Sequence, residues 1–190
     1  MKHHLIIPAL FILVSCSTNQ NPKITINTEL GPIVAELYPD KAPVTCENFL
    51  RYVENNMFDS SSFYRVVRMD NQPNNEIKIE VIQGGLGFDR LDGGYPPIFH
   101  ESTDITGFLH KDGTLSMARA EPGSASSEFF ICIGDQPELD FGGQRNPDGQ
   151  GFAAFGQIIE GMNVVRKIQS LEDKDQMLVK EVIITSISIF

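Results

Sequence analysis

Two polar side chains interrupt apolar segments in positions where they could do chemistry. Arg65 lies in the run FYRVV at 63–67, and Gln83 lies in IQGG at 82–85. A preorganised cation in a partly dry groove can stabilise an electron pair that appears in a transition state, and an amide beside it can orient that cation. Composition alone favours a plainer interpretation, with Arg65 in a surface salt bridge of little energetic value and Gln83 as a polar turn residue.

Other patterns argue against several classes of chemistry. His100 and His110 have no partner at metal-ligand spacing, and no G-x-S-x-G motif suggests an α/β-hydrolase. The segment 140–148 is rich in Asp, Asn and Gly but lacks the twelve-residue ligand pattern that ends in Glu. A solvated loop is therefore favoured over a calcium site.

The first residues predict an export signal. Lys2 precedes an almost wholly apolar run at 5–14, which is too short to cross a bilayer core of ~30 Å as a helix. The run therefore indicates a signal peptide at 1–15 rather than a transmembrane span. The sequence LVSC at 13–16 resembles the bacterial lipobox, which implies a lipidated Cys16 at the start of the mature protein. The alternative is an ordinary signal peptide with an incidental cysteine.

An acylated Cys16 would attach the protein to a membrane. Two or more acyl chains hold a protein stably, at ~0.8 kcal/mol per buried CH₂, and the polar residues to position 22 would form a short tether (16–22). The residue directly after Cys16 is Ser17 and not aspartate, which favours the outer membrane by resemblance to enteric sorting rules. We expect a lipid-anchored protein of the bacterial cell envelope that faces the periplasm.

Charge and cysteine content narrow the partners further. The chain has 15 Lys and Arg against 25 Asp and Glu, a net charge of −10, and loss of Lys2 with the leader makes it more negative. This balance argues against nucleic acid and against broad adhesion to anionic headgroups. Besides Cys16 only Cys46 and Cys132 remain, both in apolar patterns, so buried free thiols are favoured over a disulfide.

The remaining segment, 23–190, is long enough for one domain with a sizeable core. Alternating runs at 23–28 and 32–38 predict an antiparallel hairpin. An amphipathic helix is predicted from Pro43, and a second short helix at 162–168. Further strands are predicted at 62–68, 76–83, 114–119, 128–133, 152–159 and 179–190. Many short strands with two helices indicate a closed barrel whose openings the helices cover.

Five motifs occur in the order, and near the spacing, of the cyclophilin family. They are FYRVV, IQGG, LSMA, SEFFI and FGQIIEGM, and the resemblance extends from the first hairpin to the last strand. It implies a mostly β fold, a closed eight-stranded antiparallel β-barrel capped by two α-helices. It also implies a proline-binding groove, no cofactor, and peptidyl-prolyl cis-trans isomerase activity. Its substrates would be X–Pro segments of exported or envelope proteins, and we expect a monomer.

Isomerisation of an X–Pro bond requires no bond to break. The barrier of ~18–20 kcal/mol arises because the amide loses its resonance on twisting, and uncatalysed exchange takes tens to hundreds of seconds. A donor near the proline nitrogen would bind the twisted amide better than either planar isomer. By resemblance, Arg65 is the catalytic arginine. Gln83 is the glutamine that hydrogen-bonds the substrate backbone and helps to orient the arginine.

The resemblance also assigns the substrate-binding residues. Phe130 matches the floor of the proline pocket, although a phenylalanine there could equally belong to the core. Leu139 and Phe152 would complete the pocket, with Val81 where the family usually has methionine. The strand beside which the substrate backbone lies is matched by Met117, Ala118 and Arg119. The position before the FF pair is Glu128.

Departures from the family pattern at three positions, Glu80, Val81 and Glu128, leave rival functions open. Glu128 replaces a glutamine, and if it reached Arg65 the charge-assisted pair would partly neutralise the cation. We therefore hypothesise lower activity or a preference for cationic peptides. Glu80 and Val81 imply a shallower, more polar pocket wall, next to an insertion at 69–80. The main rival is a catalytically weak peptide-binding or chaperone module, and a remote one is a barrel that carries an apolar ligand.

Overall fold

The computed structural model describes residues 20–87 and 94–190, so the predicted signal peptide 1–15 and the lipidation site Cys16 lie outside it. The strands are β1 (Lys23–Thr28), β2 (Gly31–Leu37), β3 (Ser61–Val67), β4 (Val81–Gly85), β5 (Thr114–Met117), β6 (Phe129–Cys132), β7 (Ala153–Glu160), β8 (Asp173–Lys174) and β9 (Met177–Ile189). The helices are α1 (Pro43–Glu54), α2 (Thr103–Thr106) and α3 (Met162–Gln169).

Eight of these strands form a closed barrel. Their order is β1-β2-β7-β5-β6-β4-β3-β9, and β9 pairs again with β1. All the pairings are antiparallel, and β8 pairs only with β9 as the short arm of a hairpin. Closure leaves the barrel without exposed edges. The predicted eight-stranded antiparallel barrel is therefore confirmed, with the one-turn helix α2 added to the two predicted helices.

The segment before β4 differs from its sequence prediction. A strand is predicted from residue 76, but β4 begins at Val81 and the residues before it are irregular. The amide of Gln72, almost fully buried, satisfies this backbone instead of a neighbouring strand. Its Nε2 donates to the carbonyls of Arg68 (2.7 Å) and Ile79 (2.8 Å), and its Oε1 accepts from the Ile79 N–H (3.3 Å). A side chain thus replaces the strand ladder that the alternating residues predicted.

The barrel interior is filled by its own side chains. Phe49 of α1 contacts the rings of Phe58, Phe129 and Phe155 at centroid distances of 5.1, 5.4 and 5.1 Å. Tilted and edge-on arrangements of this kind are the favoured geometries of aromatic pairs. Among the described residues the core is a packed one, which argues against a barrel that carries an apolar ligand.

A distant carboxylate holds the start of α1. Ala42 precedes the helix and offers no side-chain cap. Instead, the buried carboxylate of Glu101 accepts hydrogen bonds from the backbone N–H groups of Val44 (3.2 Å) and Thr45 (2.8 Å). An anion is favoured at a helix N-terminus because the orphan N–H groups and the helix dipole point at it. This contact attaches the segment that begins at residue 94 to α1, the helix that covers one barrel opening.

The cysteines are buried free thiols, as predicted. Cys46 and Cys132 form no disulfide. Burial raises the pKa of Cys46 to about 12 and also raises the pKa of Cys132. Both groups therefore stay protonated and unreactive at neutral pH. None of the helices in the described ranges is long and apolar enough to span a bilayer.

Candidate active site

The strand register aligns the main site residues in one row on the outer face of the barrel. Arg65 of β3 lies opposite Gln83 of β4, which lies opposite Phe130 of β6. Opposed residues on neighbouring strands point to the same face of a sheet. Val66 and Ile82, which alternate with this row, belong to the interior core. Three motifs distant in sequence thus meet because their strands are adjacent.

A bulge in β3 brings a fourth side chain to this row. The register of β3 shifts between Phe63 and Arg65, so that Tyr64 and Arg65 together face Gln83. Bulges commonly re-aim a side chain next to an active site. Here the hydroxyl of Tyr64 accepts a hydrogen bond from Gln83 Nε2 at 2.8 Å, and Gln83 becomes fixed from both sides.

The row opens onto a cavity of about 420 Å³. The structure places nine of the ten predicted catalytic and substrate-binding residues around it. These nine are Arg65, Val81, Gln83, Ala118, Arg119, Glu128, Phe130, Leu139 and Phe152. Six further lining residues were not predicted from the sequence, namely Ile79, Ala120, Ser124, Ser126, Arg145 and Asn146.

Apolar rings form the floor of the cavity. Phe130 is almost fully buried, and Phe152 meets it edge-on at a centroid distance of 5.3 Å. The imidazole of His110 stacks on Phe130 at 5.9 Å. His110 is itself held by hydrogen bonds to Asp140 Oδ1 (2.7 Å) and Ser116 Oγ (2.9 Å). The sequence motifs gave no signal for this support, and it fixes the floor from beneath.

The guanidinium of Arg65 is held by two neutral amide oxygens. Its Nη1 donates to Gln83 Oε1 at 2.8 Å, while its Nη2 and Nε donate to Gln176 Oε1 at 2.6 and 3.2 Å. Burial lowers the pKa of Arg65, but an arginine side chain remains protonated in proteins. Because neither acceptor carries a negative charge, the cation is fixed in place without being neutralised.

Gln176 reaches Arg65 from the turn between β8 and β9. Asp175 and Gln176 occupy this turn with positive φ angles of 52° and 72°, the conformation of a tight two-residue hairpin. The other end of the Gln176 amide donates to the carbonyl of Asn71 at 3.2 Å. That bond orients its oxygen toward Arg65, although the two residues are 111 positions apart in the chain.

The hypothesised pair between Glu128 and Arg65 is not formed. The Glu128 carboxylate instead accepts from the Tyr64 hydroxyl (2.5 Å), the Ser127 hydroxyl (3.0 Å) and the N–H of Gly87 (3.0 Å). Tyr64 stands between Glu128 and the amide of Gln83, so the carboxylate bonds Tyr64 and forms no ion pair with Arg65. Burial raises the pKa of Glu128, and burial together with the Glu128 charge raises the pKa of Tyr64.

Two further sequence expectations need correction. Met117, predicted to lie beside the substrate, is almost fully buried and belongs to the interior core, because its side chain points to the inner face of β5. Glu80 is absent from the cavity lining, and its carboxylate accepts from Gln169 Nε2 at 3.3 Å. Ile79 lies in the wall beside Val81 instead. This part of the wall is therefore apolar, whereas a more polar wall was expected.

Arg119 forms part of the wall as one half of an ion pair. Its Nη1 and Nη2 donate to the two carboxylate oxygens of Asp148 at 2.8 and 2.9 Å, and its Nε donates to the Gly151 carbonyl at 2.7 Å. The guanidinium lowers the pKa of Asp148 to about 2. This pair orders the predicted solvated loop at 140–148. Within the described ranges, no group of three or more His, Cys, Asp or Glu side chains could hold a metal ion.

A closed antiparallel barrel with an arginine and a glutamine beside an apolar outer pocket is the arrangement expected of a peptidyl-prolyl cis-trans isomerase of the cyclophilin type. The family model for cyclophilin type peptidyl-prolyl cis-trans isomerase/CLD matches residues 23–189, and the chain belongs to the cyclophilin family. A peptidyl-prolyl cis-trans isomerase of Acinetobacter baylyi is 37% identical over 164 residues, which cover 84% of this chain and 78% of the relative.

Further relatives agree with this assignment. Peptidyl-prolyl cis-trans isomerase B of Escherichia coli K12 is 34% identical over 152 residues, covering 78% of this chain and 84% of the relative. A solved cyclophilin type isomerase of Cryptosporidium parvum has the same fold, with a TM-score of 0.71 at 22% identity over 90% of this chain and 98% of its own. The chain is thus an enzyme of this class.

The position of Glu128 predicts how stability depends on pH. Its pKa in the folded state lies above the unfolded value of about 4.3, so the folded protein binds this proton more readily. The resulting stabilisation is complete below about pH 4 and is lost as the pH rises through the folded pKa. Glu128→Gln cannot ionise, so its free energy of unfolding, measured by urea denaturation, should rise relative to wild type as the pH increases from about 4 through the folded pKa of Glu128.

Glu121→Gln is the matched control, because Glu121 is an exposed carboxylate outside the cavity lining. It should follow the wild-type curve throughout the pH series. A difference between Glu128→Gln and wild type that stays constant with pH would contradict a raised pKa for Glu128.

Proposed function

We propose that this enzyme rotates X–Pro bonds in exported proteins and that Arg65 is its electrostatic catalyst. One observation carries the mechanism: the guanidinium beside an apolar pocket is held by the amide oxygens of Gln83 and Gln176, not by a carboxylate. Its charge therefore remains available to a bound peptide. Because the surroundings are partly dry, this charge acts more strongly than it would in water.

In the proposed complex, the proline ring packs on Phe130 between the apolar walls of the cavity. Twisting of the peptide bond localises the lone pair on the proline nitrogen, which becomes a hydrogen-bond acceptor only in the transition state. Arg65 donates to that nitrogen. Because a planar amide offers no such lone pair, the interaction lowers the barrier rather than strengthening ground-state binding.

Gln83 serves as the positioning residue in this proposal. Its oxygen accepts from Arg65 and its nitrogen donates to Tyr64, whose hydroxyl donates to Glu128. Since each group in this chain is fixed by the next, the guanidinium need not reorganise when the amide twists. Preorganisation of this kind is the main source of electrostatic catalysis.

Support for a proline-containing substrate comes from the lining and from a relative. The Cryptosporidium parvum isomerase was also solved in the presence of the dipeptide Ala-Pro, and that structure matches this chain with a TM-score of 0.71. The rival, a weak peptide-binding module, was favoured by Glu128, Glu80 and Val81. Glu128 bonds Tyr64 rather than Arg65. Glu80 lies outside the cavity lining, so only Val81 still favours the rival.

Arg65→Ala should lower kcat/KM by about 10²–10³-fold, since it removes one preorganised donor to the transition state. Exchange of a short X–Pro peptide is measured by NMR with the full chain purified in detergent. Peptide affinity should change only a few-fold, because the apolar pocket remains. Arg166→Ala is the control, since Arg166 lies exposed on α3 outside the cavity lining.

Two results would contradict this role. Arg65→Ala with wild-type turnover would exclude Arg65 as the catalyst. Wild type that binds the peptide without accelerating its exchange would favour the peptide-binding module.

The proposed location is the bacterial cell envelope, on the periplasmic face and preferably at the outer membrane. It rests on the leader at 1–15 and the lipobox-like LVSC, with the acyl chains on Cys16 as the anchor. Two acyl chains would be enough for stable attachment. An exported location would make unfolded or newly exported proteins the available substrates.

Cys16→Ala should move the full chain from the membrane fraction to the soluble fraction, because no lipid can be attached. Fractionation of a bacterial host and metabolic labelling with a fatty acid measure this directly. Ser17→Ala changes the neighbouring residue and should stay labelled and membrane-bound. A Cys16→Ala protein that remains in the membrane fraction would contradict the proposed anchor.

A further inference from the structure

A second guanidinium faces the cavity from the loop between β6 and β7. Arg145 lines the cavity, and its Nη1 donates to Gln72 Oε1 at 3.0 Å and to the Ile77 carbonyl at 2.7 Å. Both acceptors are neutral. Within residues 20–87 and 94–190, no carboxylate forms an ion pair with Arg145. Its Nε and Nη2 donate to no acceptor in those ranges, so part of the fork is free for a ligand.

The charges around the cavity are unevenly compensated. Arg119 is paired with Asp148, and the Glu128 carboxylate is engaged by Tyr64 and its neighbours. Arg65 and Arg145 have only neutral acceptors. Burial and the charge of Arg65 lower the pKa of Arg145, which means that the two cations repel each other within one cavity. A ligand anion at this side would relieve that repulsion.

We propose that Arg145 is a specificity-determining residue that binds a substrate carboxylate, so that the enzyme prefers X–Pro segments with Asp or Glu next to the pair. The planar guanidinium fork matches a carboxylate in two parallel hydrogen bonds. Gln72 and Ile77 hold one amino group of the fork, which limits the side-chain entropy lost on binding. This preference is opposite to the cationic preference hypothesised from Glu128. The inference rests on the proposed function for turnover, but not for binding.

The test uses peptides that differ at one residue flanking the X–Pro pair. Glu, Gln or Lys is placed either directly after the proline or directly before X. Dissociation constants are measured by calorimetry and kcat/KM by exchange NMR, with the full chain in detergent. At one of the two positions, wild type should bind the Glu peptide about tenfold more tightly than the Gln peptide. Added salt should reduce this difference in affinity. Because this contact exists in ground and transition states alike, KM should change and kcat should not.

Three variants assign the effect to Arg145. Arg145→Gln should bind the Glu and Gln peptides equally, while its unchanged affinity for the Gln peptide shows that it is folded. Arg145→Lys keeps the charge without the fork and should retain a reduced Glu preference. Lys78→Gln is the matched control, since Lys78 is an exposed cation of the adjacent segment outside the lining. It should retain the full preference.

Equal binding of the Glu and Gln peptides by wild type would overturn the inference, as would a preference for Lys. A Glu preference that survives Arg145→Gln would overturn it too. If wild type accelerates none of the peptides, the proposed function fails. In that case the ratio of the affinities for the Glu and Gln peptides, in wild type and in Arg145→Gln, still tests whether Arg145 binds the carboxylate.

Discussion

The fixation of the Arg65 guanidinium by two amide oxygens is the constraint on which the site depends. A carboxylate partner would hold the side chain equally well but would cancel the charge that the twisted amide needs. Amide oxygens supply the hydrogen bonds that a partly buried cation requires and leave the charge in place. The barrel provides them from opposite directions, with Gln83 across the β3–β4 ladder and Gln176 from the β8–β9 turn.

The acidic residues of the cavity are arranged around the same constraint. Glu128 lies in the lining, yet its charge is directed to the Tyr64 hydroxyl, where it fixes the chain that orients Gln83. Asp148 is likewise paired with Arg119. The substitution of the family glutamine by Glu128 therefore leaves Arg65 unneutralised, because a tyrosine separates the two groups. The surplus positive charge that remains belongs to Arg65 and Arg145.

The sequence predicted the barrel and most of the residues that line the cavity, because the family motifs lie on strands whose pairing is the same throughout the family. Motifs on adjacent strands necessarily meet, as Arg65, Gln83 and Phe130 do. Contacts made by loops and turns were not predictable in the same way, because they have no periodicity. Gln176 depends on a turn 111 residues away from Arg65. The wall formed by Ile79 and the cation of Arg145 depend on irregular segments held by a few side-chain hydrogen bonds of Gln72 and Arg145.

Turnover by Arg65→Lys at saturating peptide tests the central claim most directly. The substitution keeps the positive charge, but a compact ammonium cannot span both Gln83 and Gln176 as the planar fork does. If catalysis depends on the fixed guanidinium, kcat should fall by at least about tenfold while KM stays within a few-fold of wild type. Wild-type kcat for Arg65→Lys would contradict the account, since a cation of any shape at this position would then be sufficient.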